Sequence, residues 1–364
     1  MDYFDSIKNS LENAKNIVIV TNRDAGKDIY ASALGVFFAL KDKYNIFLPK
    51  DKNPEKLIKF LDNETNKKKI IISLKNGISE ISYERKNGNV DLCLIPRDGE
   101  SIKPENFSCK IVSEEKENYL SSPGFFDLIV AFNIKSFNEL ETYFKESPDS
   151  IYNCSIINID NDPQNENYGE INVIEEKKSL SEEISNILKV IQKNINEKSA
   201  GFLLWGILSL ISSKKDKKTF STIKWLINQG ANMYFHNIDS LTKKRFSLLE
   251  KTIKNAELSE NDNIYVSTLF EKDFKETGCT SSDLSFIIEK MKNYFSIPSF
   301  VLLWEGKSSP VSIKGVFYSD KKYLIDAIKQ VYNGSYKGKG GIFLLKNMDL
   351  PSAEKEITSL LWKK

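Results

Sequence analysis

Four aspartates, Asp24, Asp28, Asp160 and Asp162, stand in two loops that each follow a short apolar run, Ile17 to Val20 and Ile157 to Ile159. Carboxylates at the carboxyl ends of strands lie where open α/β sheets hold their ligands, and hard oxygen donors of this kind suit Mg²⁺. A centre for Mn²⁺ calls for imidazole as well. The chain has one histidine, His236, with no second His or Cys near it in sequence, so packing or surface exposure is its expected role. Neutral amides, Asn22, Asn133, Asn161 and Asn165, stand in or beside the same loops. Arg23 offers a guanidinium for a phosphate, or for Asp24 or Asp160. Near the C-terminus, Lys337-Gly338-Lys339-Gly340-Gly341 reads either as a nest of backbone amides for an anion or as a plain turn. No G-x-S-x-G elbow accompanies any serine, which excludes that route to a nucleophile.

Five segments carry these residues in a fixed order. They are Thr21-Asn22-Arg23-Asp24-Ala25-Gly26-Lys27-Asp28 with Ser32-Ala33-Leu34 beyond it; Asp127-Leu128 to Asn133; and Asp160-Asn161-Asp162 with Asn165, Tyr168, Gly169 and Asn172. Gly206-Ile207 to Leu210 and Gly340-Gly341-Ile342 complete the set. The set resembles the DHH-family phosphoesterases, the RecJ-like and nanoRNase-like enzymes of bacteria, followed by their smaller DHHA1 domain. The resemblance runs over nearly the whole chain, and it departs from the family at the ligands. Asn22 stands for a histidine, Gly26 for an aspartate, Asn133 for the bridging carboxylate, Asn161 and Asp162 for two histidines, Leu210 for an aspartate, and Ile342 for the histidine of the substrate-phosphate motif. In active relatives two metal ions activate water and stabilise an in-line displacement. Asn is a weak neutral ligand and Leu and Gly are none, so the resemblance implies an inactive homologue with no catalytic residues, no cofactor and no tightly held metal. Asp28 and Asp160 are the residual metal candidates.

The function implied is that of a scaffold binding a protein partner, forming a homo-oligomer, or accepting a nucleotide, cyclic dinucleotide or short single-stranded nucleic acid. Arg23, Asp28, Asp160, Asn165, Lys339, Gly340 and Gly341 are its candidate ligand contacts. The alternative is a weak phosphodiesterase using Mg or Mn at Asp24, Asp28, Asp160 and Asp162 on short oligonucleotides or cyclic dinucleotides.

Composition fits a cytoplasmic α/β protein. The 364 residues suffice for two cores, and no secretory leader or run of roughly 20 apolar residues is expected. A net charge of +2 gives no strong field for nucleic acid. Lys67 to Lys69 and Lys214-Lys215 read as solvated faces, and the scarcity of arginine (Arg23, Arg85, Arg97, Arg245) reads as the bias of an AT-rich genome. Cys93, Cys109, Cys154 and Cys279 lack C-x-x-C spacing and read as reduced, structural thiols.

Periodicity sets the elements that must position these residues. Helices are expected at Tyr3 to Ala14, Tyr30 to Lys41, Phe137 to Phe144, Ser181 to Ile195, Ala200 to Ile211 and Thr219 to Gln229. Strands at Ile17 to Val20, Asn45 to Leu48, 127 to 133 and Ser155 to Ile159 imply an N-terminal doubly wound, mainly parallel sheet. Residues 1–240 form this DHH-like domain, with a β insert at about 69–108. The insert carries a strand at Ile70 to Leu74 and a hairpin of Ile78 to Glu84 with Val90 to Ile95, and extends the sheet edge or pairs with a partner. Residues 241–260 are a linker helix and boundary, and 261–364 a smaller α/β domain. That domain has strands at Ile264 to Leu269, Phe300 to Glu305 and Val311 to Tyr318, helices at Lys321 to Tyr332 and Pro351 to Trp362, and a buried strand at Ile342 to Leu345.

Overall fold

The computed structural model describes residues 3–22, 25–49, 68–74, 78–86, 89–97, 107–113, 119–120, 126–144, 149–176, 179–210, 217–233, 240–259, 264–295, 297–306 and 312–362. They fall into two compact units, Met1–Pro54 with Tyr119–Lys364, and Glu55–Asn118.

In the larger unit the first apolar run becomes β1 (Asn16–Thr21) and is followed by β2 (Asn45–Pro49). The smaller unit holds β3 (Lys68–Leu74), β4 (Ile78–Lys86), β5 (Asn89–Pro96) and β6 (Phe107–Ser113). The chain then supplies β7 (Tyr119–Leu120), β8 (Leu128–Phe132), β9 (Ser155–Asp160) and β10 (Ile171–Ile174). These join β1 and β2 in a six-stranded sheet of order β10-β9-β8-β1-β2-β7 in which every pairing is parallel. Central strands of such a sheet are covered on both faces, and Ile17, Val18, Ile19 and Val20 of β1 and all of β8 are buried accordingly. The chain leaves β1 toward β2 on one side and returns as β8 on the other. The crevice at the carboxyl ends of β1 and β8 is therefore the topological switch point, the ligand position of doubly wound sheets.

Helix Lys27–Leu40 packs against helices Leu180–Ile191 and Glu197–Ser209 through small residues. A Cβ on Gly206 would lie 1.9 Å from Ser181 Oγ and 2.9 Å from Ala31 Cβ, so only glycine permits this approach. An aliphatic cavity of about 20 Å³ remains between helix Tyr3–Asn13 and the sheet, lined by residues such as Ile7, Leu11, Val130 and Ile159.

A second sheet, of order β11-β12-β13-β14-β16-β15, is formed by β11 (Glu257–Leu258), β12 (Ile264–Leu269), β13 (Ser299–Glu305), β14 (Ile313–Ser319), β15 (Gly334–Lys337) and β16 (Gly340–Leu345). Only β12 and β13 pair in parallel. Its core gathers Val301, Leu303, Phe317 and Phe343 under helices Lys322–Val331 and Leu350–Leu361. Mixed α/β architecture with a mainly parallel first sheet and a second sheet in the C-terminal part is thus the fold class.

Several expectations need correction. The β4–β5 hairpin forms with the expected pairing. Within the smaller unit β3 pairs with β6, so its described residues form two strand pairs. Helix Lys27–Leu40 begins three residues before the expected start, which places Asp28 inside its first turn. The Ile342 to Leu345 run is a strand buried on one face only: Phe343 and Leu345 are buried, whereas Ile342 is 51% and Leu344 39% exposed. A continuous apolar run does not reveal which face lies against the core.

Candidate functional site

Asp160 is the last residue of β9, and Asn22 and Asn133 immediately follow β1 and β8, so three of the expected site residues meet at the carboxyl edge. The edge is stitched across the strands: Asn22 N donates to Phe132 O at 3.2 Å and Asn133 N to Ile159 O at 2.9 Å. Asn133 adopts φ +53°, a left-handed conformation that asparagine tolerates better than most side chains.

Asp160 is fully buried. Its Oδ1 accepts from Asn133 Nδ2 at 2.9 Å and from the backbone N–H groups of Asn161 at 2.7 Å and Asp162 at 3.0 Å. Its Oδ2 accepts from Asn165 Nδ2 at 2.7 Å. Three of these donors converge on Oδ1 and one reaches Oδ2, so both oxygens of the buried carboxyl group are engaged by the protein. The network continues inward, because Asn158 Nδ2 donates to Asn165 Oδ1 at 2.7 Å and to Asn172 Oδ1 at 2.9 Å. Asn172 in turn closes the turn at Gly169, accepting its N–H at 3.0 Å and donating to its carbonyl at 2.6 Å. A Cβ on Gly169 would come within 2.9 Å of Asn158 Cβ and of two carbonyl oxygens, so glycine is required for this loop to lie on β9.

Asp28 is used elsewhere. Its Oδ1 accepts from Ser179 Oγ at 2.8 Å and Ser181 N at 3.1 Å, and its Oδ2 from Leu180 N at 2.8 Å. It therefore holds the N-terminus of helix Leu180–Ile191, where orphan N–H groups and the helix dipole favour an anion. Ser179 also accepts from Glu182 N as the N-cap of that helix. Asp162 forms an ion pair with Lys135. Lys135 and the N–H of Gln164 hold its carboxyl below the usual range.

The rim contains groups that spacing alone does not reveal. Glu139 accepts from Asn22 Nδ2 at 2.8 Å and from Lys135 N at 2.9 Å. The Tyr168 hydroxyl is buried without a hydrogen-bond partner among the described residues. Burial, then the charges of Asp160 and Glu139, push its pKa above the ordinary tyrosine value. A polar Asn158 inside an apolar run, and the Ser179-x-x-Glu182 spacing of a capping box, were the available signals for the inner network and for the helix start that Asp28 holds.

The remaining expected site residues separate. Gly26 is the exposed N-cap of helix Lys27–Leu40 and Leu210, 38% exposed, the C-cap of helix Glu197–Ser209. Lys339 and Gly340 belong to the tight β15–β16 turn, with Gly338 at φ +57°. Lys339 pairs with Asp320 at 2.7 Å, and Gly341 is a ladder residue opposite Phe317. This is the turn alternative, formed as a hairpin. Arg23, Asp24 and His236 lie outside the described residues. The donors seen at Asp28 and Asp160 among the described residues are backbone N–H groups, the side-chain amides of Asn133 and Asn165, and the Ser179 hydroxyl.

A two-ion centre does not fit this donor set. Asp160 is already engaged by four hydrogen bonds, three of them at Oδ1, Asp28 is committed to a helix end, and the described flanking positions Asn22, Asn133 and Asn161 are neutral amides. Among the described residues no group of three or more His, Cys, Asp or Glu is placed to hold a metal.

No family model matches the chain, and no curated protein matches it. Among solved structures it is similar to an exopolyphosphatase-related protein from Bacteroides fragilis. Identity is 13%, the TM-score is 0.39, and the match covers 99% of this chain and 94% of the other. It is also similar to a putative family II inorganic pyrophosphatase from Methanococcus jannaschii, at 15% identity and a TM-score of 0.30, over 95% of this chain and 98% of that one. Its own strand order and register define the fold class given above. No helix among the described residues is long and apolar enough to cross a membrane.

Proposed function

We propose that this chain is a DHH-type scaffold, with residues 1–240 and 261–364 as its two domains, that works by binding a protein partner, a nucleotide or a short single strand and not by hydrolysing phosphodiesters. The motif residues and their order support the scaffold. One observation supports the loss of hydrolysis: the buried Asp160 carboxyl group is held by Asn133, Asn165 and two backbone N–H groups, three of these donors meeting at Oδ1. An ion bound at Oδ1 would have to displace hydrogen bonds to a charged group, each worth roughly 1.5–3 kcal/mol.

The test is metal analysis of the purified protein after dialysis against Mn²⁺, combined with hydrolysis assays on dinucleotides, short RNA, cyclic dinucleotides and 3′,5′-adenosine bisphosphate. The expected result is no retained stoichiometric metal and no turnover. Turnover that disappears in a folded Asp160→Asn variant would overturn the reading, whereas contaminating activity survives that change.

A further inference from the structure

We infer that the outer face and free edge of the second sheet form a docking site for an acidic peptide segment carrying apolar side chains. The β14–β16 register sets Lys314 opposite Leu344, Val316 opposite Ile342, and Tyr318 opposite Gly340. The β15–β16 register sets Ser335 opposite Ile342 and Lys337 opposite Gly340. Burial alternates along β14 and along β16, so Val316, Ile342 and Leu344 form an aliphatic strip on the side away from the core. Ile342 remains 51% exposed because its neighbour on β15 is the small Ser335.

The surroundings of the strip are cationic. Lys314 and Lys337 share the face by register, Lys339 is at the hairpin turn, and Lys292 Nζ lies 4.4 Å from the Tyr318 ring centroid. The acid in contact with this group is Asp320, which receives Lys339 Nζ and Tyr318 Oη, each at 2.7 Å. Four lysines less one aspartate leave a local charge of +3. Among the described residues β15 is the last strand of its sheet and pairs with β16 alone, over a four-residue length.

These features select the occupant. A second copy would set one cationic patch against another, which like-charge repulsion opposes. A single nucleic-acid strand needs open aromatic faces for its bases; of the strand aromatics that share this face by register, Phe300 and Trp304 are buried, and Tyr318 is covered by Lys292 and tied to Asp320. An extended peptide added beside β15 gains main-chain hydrogen bonds from the open edge. With an apolar residue over Ser335 and an acidic one beside Lys337, two positions apart, it covers Ile342 and neutralises the rim. This gives the scaffold reading a partner class and a surface. Failure of peptide binding would leave the metal and hydrolysis results untouched, so the two readings fail separately.

The experiment is fluorescence anisotropy on the full chain with three labelled probes: an end-blocked peptide alternating Leu and Glu, its Leu and Lys counterpart, and a short oligo(dT). Preferential binding of the acidic peptide is expected, weakening with salt. Ile342→Ser should weaken it by about tenfold, about 1.4 kcal/mol, because the exposed half of this aliphatic side chain is what the peptide would cover, and Lys337→Glu should weaken it as well. Both residues are exposed, and Leu344→Ser provides a further variant if either fails to fold. The inference is overturned by equal binding of the basic peptide, by preference for oligo(dT), by no binding of any probe, or by affinities unchanged in the folded variants. It is equally overturned if sedimentation shows a dimer that Ile342→Ser dissociates.

Discussion

Asn133 Nδ2 donates to Asp160 Oδ1 across 2.9 Å, from a residue held at φ +53° just beyond the neighbouring strand. The amide thus supplies a proton to a carboxylate where a second carboxylate would supply charge. Replacing it by aspartate converts the pair into two like charges at a buried site, which raises the folded-state pKa of the pair. A raised folded pKa means stability present at low pH and lost as pH rises through it. Asn133→Asp should therefore unfold more easily in urea at pH 7, by roughly 1–3 kcal/mol, and recover on acidification toward pH 4.

Asp28 contributes through helix Leu180–Ile191. Asp28→Ala removes the acceptor of three donors, two of them backbone N–H groups. The expected loss in urea denaturation is about 1–3 kcal/mol, independent of added Mn²⁺. A loss that grows in the presence of Mn²⁺ would instead show that the wild type gains stability from the ion.

Gly206→Ala sets helix propensity against packing. Alanine favours an exposed helix interior by up to about 1 kcal/mol, but here its Cβ would overlap Ser181 Oγ at 1.9 Å. Overpacking of a tight core costs roughly 1–3 kcal/mol, so the melting temperature should fall. Pairing the change with Ser181→Ala should recover part of the loss, because the contact with Ser181 Oγ is then gone.

Glu250 gives a pH signature remote from the carboxyl edge. It accepts Met233 N at 2.6 Å, and burial pushes its pKa up to about 7 from an ordinary 4.5. Because the folded-state pKa is raised, protonation favours the fold: stability should decline as pH rises from 4.5 through 7 and level off above. Glu250→Gln retains an acceptor for Met233 and should flatten this profile, with a gain above pH 7 of up to about 3 kcal/mol.

The sequence by itself determined the strands β1, β8 and β9, the loops that follow them, and the presence of neutral amides at positions where a metal site needs charge. These are local properties: apolar runs of strand length, breakers after them, and residue types at fixed spacing. It also located the β4–β5 pair, from two strand-length runs on either side of Lys86-Asn87-Gly88-Asn89 in the sequence. What Asp28 and Asp160 do was settled by the packing of distant segments. Asp28 meets Ser179 across 151 positions of chain, and Asp160 receives an amide from another strand's end. Neither partner is encoded in the spacing around the aspartate. The same limit applies to Ile342 and Leu344, which are as apolar as Phe343 and Leu345. The strand's alternation sends one pair to the core and the other to solvent, and that choice belongs to the sheet as packed and not to the residues themselves.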